Sequence, residues 1–181
     1  MVVADEELRV LAALLMKRND IDAQIAQLIE RPMTSGHLGE YIAAKIFDIA
    51  LETSAAAPAI DGRFRSGPPV GKTVNVKWYL KQEGVLDVSL SDALDYYLVL
   101  TGPRSAAASS KGGIRPWRID AVYLFDSKDL VADLTSRGVK VGVATGVRNS
   151  QWEAAEIYPA SATSALPVSA RQSAQLALFG P

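Results

Sequence analysis

The chain has no cysteine. That excludes a disulfide framework, a thiolate-held zinc or iron–sulfur centre, and a thiol nucleophile. It has a single histidine, His37, which excludes a multi-histidine metal site and leaves little room for a Ser-His-Asp triad. No run of about 18 apolar residues occurs, so no membrane span is expected. The opening MVVADEELR is acidic where a secretory leader is basic, so a cytoplasmic protein is expected and an exported one is not. An overall excess of one charge is missing too, with 19 Lys+Arg against 20 Asp+Glu. That balance hides an asymmetry: residues 1–60 carry 5 basic and 9 acidic groups, whereas residues 61–118 carry 9 and 5. An anionic partner is therefore to be sought in the middle third.

What is present is a chain of 181 residues, 49% hydrophobic, enough for one full core with a tail or a helical appendage. Residues 1–32 read as an N-terminal helical segment. Leu11, Leu14, Ile21, Ile25 and Leu28 recur at a/d-like spacing, with Arg18 intruding, and Pro32 follows. Such a stripe needs cover, expected from the body of the protein, with a second copy of the helix (a homodimer) as the alternative. Residues 33–159 read as the main domain. Thr34-Ser35-Gly36-His37 opens a helix through Phe47, with Leu38, Ile42, Ile46 and Ile49 on one face and Glu40 at its border. His37 reads as a cap or loop residue. A short strand over 59–64, a Gly/Pro turn (RSGPPVG) and a strand over 72–80 follow. In that second strand Val74, Val76 and Trp78 share one face, and Asn75 and Lys77 the other. The runs 96–100 and 121–125 read as buried strands. A helix is expected over 126–137, capped by Asp126 or Ser127 and ended by Gly138, then a strand over 140–144 and a short helix over 152–157. Residues 160–174, ten of fifteen of them Ala, Ser or Thr, read as an unstructured linker to a tail at 175–181.

The order of these pieces suggests chemistry. An Asp at a strand start binds a divalent cation through oxygen. A second oxygen ligand two residues before a lysine lies on the lysine's strand face, where the ammonium stabilises a phosphate or orients the attacking water. Glu40, Asp61, Asn75 and Lys77 have that order.

The pieces GHLGEYIAAKIF, IDGRF and VNVKWY resemble the PD-(D/E)xK, or restriction-endonuclease-like, nuclease superfamily over Gly36 to Phe125. The resemblance implies an α/β fold with an αβββαβ core and a mixed sheet, here with a long N-terminal helix added. It implies a Mg²⁺-dependent (or Mn²⁺-dependent) DNA endonuclease of repair, recombination or defence. By position, Glu40 matches the helix glutamate, Asp61 the motif aspartate and Lys77 the motif lysine, with Glu40, Asp61 and Asn75 as metal ligands. Ile60 stands where the motif has proline, and Asn75 where it has a carboxylate, which brings an oxygen and no charge. A catalytically weak or inactive DNA- or clamp-binding module on the same fold is the alternative. The chain is also similar to a group of small bacterial proteins sharing the GHLGEY, DGRF and KW pieces, a likeness that implies no activity. Arg63, Arg65, Arg104, Lys111, Arg115 and Arg118 become candidate DNA-phosphate contacts, and Trp117 a candidate stacking residue. Finally, Gln175-Leu176-Ala177-Leu178-Phe179 resembles the bacterial sliding-clamp-binding pentapeptide, with Gln175, Leu176, Leu178 and Phe179 as the partner-binding positions; packing back on its own domain is the alternative.

Overall fold

The computed structural model describes residues 2–52, 59–104, 115–160 and 165–181, with side chains from Glu6 onward. The first helix, α1 (Val2–Ile29), runs without a Gly or Pro. Residues 6–21 are exposed along their whole length, and only Asp22, Ile25, Ala26 and Ile29 are shielded on the body. The expectation that the body covers the apolar stripe is thus corrected: cover reaches the last two turns alone, because α2 offers no longer face to lie on.

Helix α2 (Ser35–Phe47) starts where Thr34 accepts the His37 N–H at 3.2 Å, a side-chain N-cap. His37 adds a bond between Nδ1 and the Pro32 carbonyl at 2.8 Å, which fits its reading as a cap residue. The chain then makes β1 (Ile49–Leu51), β2 (Gly62–Phe64) and β3 (Thr73–Tyr79). The short β1 lies in the end of the helical pattern, where a three-residue apolar run carries no strand period of its own. A link containing β4 (Val85–Leu86) leads to β5 (Tyr96–Thr101), then β6 (Ala121–Asp126) and α3 (Ser127–Ser136), whose first two free N–H groups, Lys128 and Asp129, are capped by Asp126. The end of the chain adds β7 (Thr145–Gly146), α4 (Asn149–Ala155), β8 (Glu156–Tyr158) and α5 (Ala170–Ala177).

The main sheet is mixed, in the order β1-β2-β3-β5-β6-β8, with β3 and β5 parallel and the other pairs antiparallel. The expected α–β–β–β order is present. The link from β3 to its parallel neighbour carries β4, which pairs with β7, and no helix. The strand expected over 140–144 does not form; pairing begins at Thr145, after Ala144 turns into the left-handed region at φ 54°. The helix expected over 152–157 begins at Asn149 and yields at Glu156 to β8.

Strand alternation gives the sheet two apolar faces. Val74, Val76, Trp78, Leu98 and Leu124 pack under α2 and α5. Tyr97, Val99, Tyr123 and Phe125 pack against Leu130, Leu134 and Trp152 of α3 and α4. The tight contact of α2 with β3 depends on Gly39, where a Cβ would lie 2.8 Å from the Trp78 Cβ. Gly62 acts alike in the sheet, since a Cβ there would lie 2.5 Å from the Ala50 carbonyl oxygen of β1. No helix among the described residues is long and apolar enough to cross a membrane.

The unstructured linker is corrected in its last part: residues 170–174 belong to α5. Ser169 caps that helix reciprocally with Gln172, and Gln172 also donates to the Ile46 carbonyl at 3.0 Å. The tail is docked on its own domain. Leu176 is fully buried, Phe179 packs against the core and accepts the Ile119 N–H at 2.8 Å, and Leu178 is left exposed. The cause is the spacing of Leu166, Leu176 and Phe179, which places three apolar side chains over the same sheet face.

Candidate functional site

Strands β2 and β3 pair over only two registers, Gly62 with Val74 and Arg63 with Thr73. Just before that pairing the chain turns away, and Asp61 stands at the fork. Its N–H donates to the Val74 carbonyl at 2.9 Å, and its Oδ2 accepts the Val76 N–H at 2.7 Å. The carboxylate thus replaces the strand neighbour that β3 lacks here. Its other oxygen, Oδ1, has no hydrogen-bond partner among the described residues.

Asn75 is 4% exposed. Its Nδ2 donates to the Ala59 carbonyl at 3.0 Å, and this fixes which way the amide faces. Ala59 has φ 70°, a left-handed conformation that alanine adopts only under constraint, and it lies in the turn leading to Asp61. The amide therefore holds the turn that presents the aspartate. Its Oδ1 is buried with no partner. A buried orphan acceptor costs about 1–3 kcal/mol unless something fills it.

Lys77 lies two residues along on the same strand face and, among the described residues, forms no ion pair. Glu40, 16% exposed, is tied to Arg31 at 2.5 Å. The sequence does not single out Arg31, because a basic residue between two helices carries no signal of where it folds back. Burial pushes the Asp61 carboxyl above its ordinary pKa. The Val76 N–H opposes that shift, the Glu40 charge adds to it, and Lys77 and Arg31 oppose it. Asp61, Glu40 and Lys77 thus share one electrostatic neighbourhood, and Asn75 is tied to the turn that leads into it through Ala59.

The donor set is made of oxygens, which suits a hard divalent cation. Among the described residues, Asn75 Oδ1 and Asp61 Oδ1 are the two oxygens of this set without a hydrogen-bond partner. Among the described residues no group of three or more His, Cys, Asp or Glu side chains is placed to hold a metal. The candidate set has two carboxylates and an amide, and Glu40 would have to release Arg31 to join it.

The basic residues do not converge in the same way. Arg63 faces Glu52 at 3.7 Å, Arg65 bonds Asp48 at 2.8 Å, and Arg118 bonds Asp120 at 2.9 Å. Arg104 bridges to Gln82, and Arg115 bonds Glu83 at 3.2 Å, both near the end of β3. Lys111 lies outside the described residues. Trp117 packs edge-on against Trp78 with ring centres 5.6 Å apart.

No protein-family model matches the chain, and no curated protein matches it.

Proposed function

We propose that the chain is a nuclease-fold protein that acts on nucleic-acid phosphodiesters at the β2–β3 fork with Mg²⁺ or Mn²⁺. The observation that supports this reading is that, among the described residues, Asp61 Oδ1 and Asn75 Oδ1 have no hydrogen-bond partner and Lys77, on the same strand face as Asn75, forms no ion pair. Asp61 and Asn75 would hold the cation, and Glu40 would complete its shell once released from Arg31. A cation there supplies positive charge that stabilises the oxyanion developing on an attacked phosphodiester. Lys77 supplies a second positive charge and donates a hydrogen bond to a phosphate oxygen or to the attacking water. Asn75 positions Asp61 through the Ala59 turn. DNA is the substrate the resemblance implies.

The test is cleavage of plasmid, single-stranded and branched DNA with either metal. Asp61→Ala and Lys77→Ala are each expected to lose about a hundredfold or more in rate. Parent-like cleavage by both variants would reject the assignment.

A second reading, a non-catalytic nucleic-acid-binding module, is favoured by the amide at position 75 and by the Arg31 clamp on Glu40. It expects salt-dependent DNA binding with no cleavage under either metal.

A further inference from the structure

The turn between α1 and α2 fixes Arg31 by its backbone and leaves its side chain to one partner. The Arg31 N–H donates to the Ala26 carbonyl at 3.2 Å, and Glu30 takes the left-handed conformation at φ 56°, a common way for a helix to close. Pro32 follows, and its carbonyl is bonded to His37 Nδ1 at 2.8 Å, so the turn is tied to α2 as well. Among the described residues the guanidinium has a single hydrogen-bond and ion-pair partner, Glu40 Oε2, and it is the more exposed of the two, at 43% against 16%. Its charge is felt at Asp61 together with those of Glu40 and Lys77. Two carboxylates and two cations thus balance at the fork. The amide at position 75 makes that balance possible, since a carboxylate there would leave the set one charge negative. A divalent cation on Glu40 would upset it. One carboxylate oxygen cannot serve a guanidinium and a hard cation at full strength, because the two positive charges repel.

We propose that Arg31 is an exchangeable phosphate-binding residue of this site: it holds Glu40 until a divalent cation takes the carboxylate, and the released guanidinium then donates to a phosphodiester of the bound nucleic acid. The planar fork of a guanidinium matches two unbridged phosphate oxygens. With the turn anchored at both ends, the exchange needs only the side chain to move. Loss of the guanidinium therefore acts in opposite directions on two ligands. It removes a competitor of the cation, and it removes a contact to the phosphate. Loss of an ion pair that only braces the turn would loosen both. The proposal rests on the metal and nucleic-acid reading above and requires no cleavage.

Two binding measurements on the full-length chain test it. The first is Mn²⁺ affinity without nucleic acid, read from the paramagnetic resonance signal of the free ion. Arg31→Gln is expected to bind Mn²⁺ about fivefold more tightly than the parent. Arg31→Lys, which keeps the charge, and Lys128→Gln, which removes a charge on α3, are expected to match the parent, and Asp61→Ala to lose binding. The second is the affinity for a short labelled DNA duplex, read by fluorescence anisotropy in EDTA and in Ca²⁺, a hard cation of the same charge. In EDTA, where Glu40 holds the guanidinium, Arg31→Gln is expected to bind as the parent does. In Ca²⁺ it is expected to bind about fivefold more weakly. Weaker Mn²⁺ binding by Arg31→Gln, or an equal change in duplex affinity with and without Ca²⁺, would overturn the exchange and leave Arg31 as a brace of the turn. Absence of Mn²⁺ or duplex binding by the folded parent would overturn it as well. If Asp61→Ala abolishes Mn²⁺ binding while Arg31→Gln leaves it at the parent value, the metal site stands and the exchange alone falls; the cleavage assay is judged separately, on Asp61→Ala and Lys77→Ala.

Discussion

Asn75 is where the sequence departs most from the motif it resembles, and its surroundings give a physical reason. A carboxylate at that position would face the Ala59 carbonyl, which an amide can bond and a carboxylate repels. Asn75→Asp is expected to lower stability by roughly 1–3 kcal/mol without a cation, and to show a larger Mg²⁺-induced rise in Tm than the parent, since the added charge strengthens binding to the folded state. Paired thermal melts with Mg²⁺ and with EDTA check both halves. Two residues before Asn75, Asp95 anchors the start of β3 through Thr73. Burial pushes its carboxyl up, but the Thr73 N–H, the Lys72 ammonium and the Thr73 hydroxyl outweigh that, so its pKa lies below the ordinary value. A depressed carboxylate contributes stability that is present above its unfolded pKa and lost as pH falls through its folded one. Asp95→Ala is therefore expected to be less stable than the parent at neutral pH, with the gap closing below about pH 4. Denaturant melts across pH check it. Asp61, Lys77 and Glu40 could be singled out from residue type and order. The roles of Arg31 and Ala59 could not, because each is defined by a partner that only the folded chain brings close.

Elements with a long period or a clear stop were legible: α1, α2, β3, β5, β6 and α3 all fall within a few residues of the expected ranges. Short pieces were not. β1, β7 and β8 are two or three residues long, and each exists because a neighbouring strand supplies its hydrogen bonds. The same limit explains α5. A run of Ala, Ser and Gln has a linker's composition, yet a reciprocal cap and one fully buried leucine make it a docked helix. Leu176→Ala should then act as a core substitution and cost about 2–5 kcal/mol, measurable as a lowered denaturation midpoint. A tail kept free for a partner would show no loss on that change. Engagement of a sliding clamp through Gln175, Leu176, Leu178 and Phe179 would first have to lift Leu176 out of the core.

At the scale of the molecule, α1 is the feature the rest of the fold leaves unused. Its 28 residues span about 42 Å, and Leu8, Leu11, Leu14 and Leu15 are each roughly half or more exposed, at 63%, 52%, 57% and 49%. Leu14 and Ile21 also line a groove of about 700 Å³ that reaches α2 and Trp78, so the apolar stripe is continuous with the body. Charge along the helix indicates what covers it. Glu6 and Glu7 precede the stripe, and Lys17 and Arg18 follow its centre. An antiparallel pair of α1 helices related by a two-fold axis near Ala12 sets Glu7 of one copy against Lys17 of the other, and Glu6 against Arg18, with the leucines between. A parallel pair would set like charges together. The expected occupant is therefore a second copy of this chain, and the protein should scatter light as a dimer at micromolar concentration. Leu11→Glu should give a monomer with an unchanged circular dichroism spectrum in its β region. Glu7→Lys should weaken the dimer, and adding Lys17→Glu should restore it, because the reversed pair meets again across the axis. A monomeric parent would reject the pairing, and so would a double variant no tighter than Glu7→Lys alone.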